Sequence, residues 1–387
     1  MGSQLTGKGI YLKEVALLFL RIGATAFRGP AAYIAIMQRE TVRNRRWLDE
    51  QGFLDMVGAT NLIPGPNATE MALWLGLVRV GWWGYAAAGL LFILPAMLAT
   101  LALAWVYVTY GSLPQVRWVL YGIKPVVIAI VVQALWDLGR KAVKSYPTVI
   151  VGAGVIVLYL FGFNEIALLF AGAAIVLLFQ GGRLLLRASP SAMLFVPLLK
   201  VSLSALSVGA IPFSQLTLFL TMLKIGSVIY GSGYVLLAFF QSEFVVRLGW
   251  LTQQQLLDAI AVGQITPGPV ASRATFIGYL MGGLPSALLA TLAFFLPSFF
   301  FVALLSRILP WLRKSWWSGA FLDGVNVASL GLMLGVTWQL GRAGVVDWFT
   351  ILLTGTALWL VFRSKVNSAW LILGGGLLGV AYKLLLG

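Results

Sequence analysis

Apolar residues run through this chain in long blocks, with no sustained alternation of the kind a strand would show. The stretch "GYAAAGLLFILPAMLATLALAWVYV", 84–108, is one such block. It exceeds the roughly 20 residues that a helix needs to cross a bilayer. Similar runs recur, and the pattern predicts full crossings near 14–38, 84–109, 118–137, 147–163 and 165–180, then 214–240, 284–306, 319–339, 347–362 and 368–386. Two further apolar segments, 52–80 and 254–282, are interrupted in their middle by Pro-Gly-Pro. The expected fold is an all-α polytopic membrane protein.

The pattern repeats. Sliding the sequence by 203 positions pairs Ile22 with Ile225, Gln38 with Gln241, Trp47 with Trp250, Asp55 with Asp258 and Pro64-Gly65-Pro66 with Pro267-Gly268-Pro269. Roughly a third of positions 17–68 are identical to their mates. Farther on, "FILP" at 92–95 answers "FFLP" at 294–297, and "WDLGR" at 136–140 answers "WQLGR" at 338–342. The chain divides into a first repeat at 1–180, a linker at 181–212 and a second repeat at 213–387. A duplication of this length is a transporter pattern and not a solenoid.

Charge decides the orientation of the copies. The loop at 38–50 carries Arg39, Arg43, Arg45 and Arg46, whereas its mate at 241–253 carries Arg247 alone. Basic loops stay in the cytoplasm, so the first loop is expected inside and the second outside. Each Pro-Gly-Pro segment is read as re-entrant, returning to the side it came from. Each half then crosses an odd number of times and the second copy is inverted. About fifteen cations fall inside on this reading, against seven outside: Lys8, Lys13, Arg117, Lys124, Arg247, Arg342 and Lys383.

Composition narrows the chemistry. The chain is 60% hydrophobic and 10% charged, with a formal net charge of +15. The positive loops account for that charge, so it is not read as a nucleic-acid surface. Cysteine and histidine are absent. No disulfide, thiolate metal site, imidazole base or imidazole ligand is available, and neither cofactor nor metal is expected. A membrane enzyme acting on lipid phosphates would need a nucleophile or base cluster, which counts against that reading. An anion channel stays open as an alternative.

Non-helical backbone at membrane depth is tolerated only inside protein or along a cavity. Proline is welcome at the start of a helix, so Pro66 and Pro269 are expected to open second half-helices, with Pro64, Gly65, Pro267 and Gly268 forming the breaks. The first-turn amides of Asn67, Ala68 and Thr69, and of Val270, Ala271 and Ser272, are then expected to be free for an anion, favoured by the helix dipole. The first crossings are also interrupted. "AFRGPAAY" brings Arg28, Gly29 and Pro30, and "IYGSGYVL" brings Gly231, Ser232 and Gly233. Four breaks related by one inversion would face a shared point at the midplane.

Arg28 and Arg273 are candidate oxyanion forks. A salt bridge from Arg273 to Glu70 or another acid is the structural alternative. Asp55, Asp258, Glu70, Glu40 and Glu243 are candidates for proton coupling, with capping or ion pairing favoured for Glu40 and Glu243.

These motifs carry a resemblance. "FRGPAAYIA" (27–35), "PGPNATEMA" (64–72), "FILPA" (92–96), "KIGSVIYGSGYVLLAFFQSE" (224–243), "GWLTQQQLLDAIAVGQITPGPV" (249–270) and "FLDGVN" (321–326) together resemble the chromate ion transporter family in its long-chain, two-domain form. The match covers nearly the whole chain. It implies chromate export across the inner (plasma) membrane in competition with sulfate, as a resistance function, and a homodimer is compatible with it. Two positions depart from the family pattern. Arg28 stands where the family usually has a glycine, and Arg273 where it tends to carry a small hydroxyl residue.

Overall fold

The structure is a computed structural model that describes residues 2–25, 30–185, 212–230, 233, 235–269, 272–312, 316–364 and 366–386. The described residues form helices and connecting turns, without strands. In the first half these are α1 (Gly2–Thr25), α2 (Pro30–Gln38), a π-helical turn (Arg39–Asn44), α3 (Glu50–Thr60), α4 (Asn67–Val80), α5 (Trp82–Tyr110), α6 (Pro114–Ala142), α7 (Tyr146–Leu160) and α8 (Glu165–Leu185). In the second half they are α9 (Gln215–Val228), α10 (Leu236–Phe240), a π-helical turn (Gln241–Arg247), α11 (Gln253–Ile265), α12 (Arg273–Leu312), α13 (Trp316–Gly344), α14 (Trp348–Arg363) and α15 (Ser368–Leu386).

The halves correspond element by element once α12 is divided at its kink. Gly283 there has φ 66° and ψ −154°, nearly the conformation of Gly81, φ 73° and ψ −151°, which separates α4 from α5. Both are in the left-handed region where glycine is favoured. The segment before the kink therefore matches α4, and the segment after it matches α5. Helix starts also correspond, with the residue type exchanged and the chemistry kept. Asp49 caps α3 by accepting from the Gly52 amide at 3.0 Å, and Thr252 caps α11 by accepting from Gln255 at 3.1 Å. Ser145 and Asp347 are the matched caps of α7 and α14. Short polar side chains satisfy the orphan amides of a first turn.

Matched helices pack antiparallel. Gly139 of α6 lies against Leu330 of α13 at 3.7 Å, while Ile128 of α6 lies against Gly344 at 3.5 Å. One index falls as the other rises, which is the signature of an inverted repeat. The last three helices of each half are exchanged: α6 packs on α14 and α15, and α13 packs on α7 and α8. Small residues allow the close contact. A side chain at Gly122 would collide with the Gly375 carbonyl, and one at Gly324 would press on the Ala173 backbone.

Five helices are long and apolar enough to span a membrane: α5, α6, α12, α13 and α15. The broken pairs α1–α2 and α9–α10 and the shorter α7, α8 and α14 complete the ten crossing elements. The pairs α3–α4 and α11–start of α12 are the re-entrant arms. The surface is rich in large apolar side chains, including Leu90, Phe300, Ile351 and Leu377, as a lipid-facing protein requires.

Candidate functional site

Each Pro-Gly-Pro separates two half-helices, as the prolines dictate. Pro66 sits at the N-cap of α4 with extended backbone, one residue before the helix it was expected to open. Gly65 and Gly268 both hold positive φ, 145° and 92°. Space also demands glycine. A Cβ at Gly65 would meet the Glu70 carboxyl and Ser298, and one at Gly268 would meet Ala96.

The two breaks rest on each other's repeat. The Gly65 amide donates to the Ile229 carbonyl at 2.7 Å, at the end of α9. From the other half the Tyr33 hydroxyl, on α2, donates to the Gly268 carbonyl at 2.6 Å. The Gly23 carbonyl of α1 also approaches Gly268. Each Pro-Gly-Pro therefore docks beside the first-crossing break of the opposite half. The first Pro-Gly-Pro thus rests on the end of α9, and the second on α1 and α2.

Two of the expected free amides are occupied. Thr69 N–H donates to the Pro66 carbonyl at 2.8 Å, and Ser272 N–H to the Pro269 carbonyl at 2.9 Å. The reason is the tight first turn: a cap carbonyl three residues back accepts the amide before any ligand can. Asn67 and Ala68 remain as first-turn amides on α4. The side chains are the more available groups. The hydroxyls of Thr69, Ser272 and Thr266, and the Gln264 amide nitrogen, are buried without a hydrogen-bond partner among the described residues. Asn67 donates through its side-chain amide to Asn61, and its own Oδ1 is buried and unpartnered.

Arg273, the first residue of α12, is completely buried. Its stem lies across Gly263 of α11, where a side chain would collide with Cγ and Nε. The matched position in the first half is Glu70, also completely buried. No ion pair joins the two among the described residues, so the salt bridge considered for Arg273 is not made to Glu70. The Glu70 carboxyl lies against the Ser298 hydroxyl of α12. Arg28, Gly29, Gly231, Ser232, Val270 and Ala271 lie outside the described residues. Pro30 opens α2 as expected, and Gly233 is in a turn.

The other acids are engaged. Glu40 pairs with Arg45, and Glu243 pairs with Lys224 and with Arg247 at 2.5 Å, in line with a structural role. Asp55 accepts from Gln51 at 3.0 Å. Asp258 is ion-paired to Lys124 at 3.1 Å and accepts from the Tyr107 hydroxyl at 2.9 Å. Lys124, Tyr107, Ser298 and the buried Glu165, which accepts from Ser242 at 2.5 Å, were not singled out from the sequence. They come from elements distant in the chain, and no periodicity or repeat register marks such partners. Among the described residues no cluster of acids could hold a metal ion.

A sequence profile described as chromate transporter matches residues 13–177 and again residues 216–380. The chain belongs to the chromate transporter family. A chromate transport protein of Cupriavidus metallidurans is 32% identical over 99% of this chain and 96% of its own length. A probable chromate transport protein of Synechococcus elongatus is 32% identical over 88% of each chain. The uncharacterized transporter YwrA of Bacillus subtilis is 32% identical over 39% of this chain and 86% of its own length, so its length corresponds to about one repeat. No solved structure matches.

Proposed function

We propose that this chain exports chromate across the plasma membrane by alternating access, with the oxyanion held beside the two Pro-Gly-Pro breaks. The observation that carries this reading is the cross-repeat docking of the two Pro-Gly-Pro loops beside the buried Thr69 and Ser272 hydroxyls, which have no hydrogen-bond partner among the described residues. Chromate is a tetrahedral dianion with four acceptor oxygens. The Thr69 and Ser272 hydroxyls, the Asn67 and Ala68 amides and the Arg273 guanidinium supply donors from both halves, and the α4 N-terminus adds a favourable dipole. Arg28, Gly29, Ser232, Val270 and Ala271 complete the proposed site. Sulfate, of the same shape and charge, competes.

Direction follows from charge. A dianion leaving an inside-negative cell gains about 4.6 kcal/mol per 100 mV, at roughly 2.3 kcal/mol per charge. Export therefore runs downhill. Glu70 is the acid best placed to link transport to protons, because it lies beside the break and no ion pair engages it among the described residues. On the proposed topology the Lys124–Asp258 pair ties α11 to α6 on the outer side.

Uptake of labelled chromate into inside-out vesicles tests the proposal. Accumulation should saturate, rise with a potential that is positive in the lumen, and fall when sulfate is added. Conductance without saturation would replace the carrier by a channel.

A further inference from the structure

The repeated stretches "WDLGR" on α6 and "WQLGR" on α13 take no part in the site described above. Their helices cross antiparallel, and the Gly139–Leu330 and Ile128–Gly344 contacts centre the crossing near Ala134 and Val336. In an inverted repeat such a centre lies at the bilayer midplane. Ion pairs give an independent scale. Lys124 pairs with Asp258 and Lys144 with Asp323. These lysines are 20 positions apart, about 30 Å at helical rise, which is the thickness of the hydrocarbon core. Asp137 is seven positions short of Lys144, which on the proposed topology, with Lys124 and Lys144 at the two boundaries, sets it about 10 Å inside the membrane.

A groove of about 950 Å³ runs along the outer face of the pair; Leu135, Leu334 and Phe362 make it mostly apolar, and Trp136, Arg140 and Arg342 lie on its border. Trp136 is 58% exposed and Trp338 65%. Asp137 and Arg140 are exposed as well, and no ion pair engages either among the described residues. Charged side chains in spanning helices face protein or water. Tryptophan belongs at the headgroup level, where its N–H finds a partner. A short aspartate this deep cannot reach the interface by extending its side chain. The face must therefore be covered.

We propose that a second copy of this chain covers it, docking α6 against α6 about a two-fold axis along the bilayer normal. Such an interface is self-complementary. Asp137 of each copy meets Arg140 of the other, one helical turn away in depth. Gly139 and Gly341 allow the backbones to approach. A different partner would need to supply the opposite charges, whereas a second copy brings them at the required depth.

The chain has no cysteine, so single-cysteine variants report cleanly. Mild oxidation of Trp136→Cys in native membranes should give a covalent dimer, while Leu352→Cys, equally exposed on α14, should not. Asp137→Arg should lower the dimer yield at least tenfold, and Asp137→Arg with Arg140→Asp should restore it. Counting photobleaching steps of the unaltered protein in dilute vesicles should show two subunits. One step at every dilution would overturn the proposal even if the variants do not fold. So would equal cross-linking at position 352, or rapid reaction of Asp137→Cys with an impermeant maleimide from the cytoplasmic side, which would make the groove aqueous.

Discussion

The two re-entrant arms start from the same design and end in different surroundings. Both begin at a side-chain cap, run to a Pro-Gly-Pro and carry an aspartate at the matched position, Asp55 or Asp258. In α3 only Phe53, Met56, Ala59 and Thr60 are buried. In α11 every residue from Leu256 to Gly263 is buried. The preceding element shows the same contrast: α10 is buried throughout, whereas α2 is partly open. The difference lies in what each arm packs against. α11 touches α6, α13 and α15, and Lys124 and Tyr107 reach Asp258 from α6 and α5. Asp55 meets Gln51 of its own helix. One module thus holds two packings in one molecule.

The sharpest test of this equivalence is at the two glycines. Gly65→Ala and Gly268→Ala should each abolish transport, with at least a hundredfold fall in rate, because both combine a left-handed φ with a neighbour in the way. Strain of about 1–3 kcal/mol adds there to overpacking of similar size. Thermal unfolding and vesicle uptake read the two effects. A tolerated alanine at either site would break the comparison.

Next come the matched buried ions. Arg273→Lys should raise the chromate KM about tenfold by losing the planar fork. Glu70→Gln should leave KM within about threefold and flatten the pH profile, since the variant cannot exchange a proton. Equal KM effects would place both side chains in the same role.

The aspartates should then differ. Asp258→Asn strands Lys124, and breaking a buried pair costs about 3 kcal/mol. The outer arm should loosen, and a cysteine at Gln254 should react at least tenfold faster with an external impermeant thiol reagent. Asp55→Asn should change that rate less than about twofold. The smallest effect belongs to the caps. Asp49→Ala and Thr252→Ala should each lower stability by about 1 kcal/mol, measured by thermal unfolding in detergent, with no change in transport direction.

Much of this was readable along the chain. The apolar runs, the 203-position register and the unequal arginine content of the two loops imply an inverted duplication, and the paired Pro-Gly-Pro segments mark where it breaks. The ion pairing of Glu40 and Glu243 also follows from their place at the ends of the first crossings. The amides of Thr69 and Ser272 are taken up by Pro66 and Pro269 where the sequence predicts them free. Their acceptors are local carbonyls, and only backbone geometry reveals whether a first turn closes on its cap.

The sequence alone determined that this chain lives in a membrane, that it repeats, and that its helices are interrupted at four matched points. Those properties rest on hydrophobic length, residue identity and the stereochemistry of proline and glycine, all local or periodic. Tertiary structure alone decided that each Pro-Gly-Pro leans on the opposite repeat and that Lys124 of α6 meets Asp258 of α11. Contacts between distant segments depend on how whole helices cross, and nearly identical arms can settle into different neighbourhoods once the rest of the molecule closes around one of them.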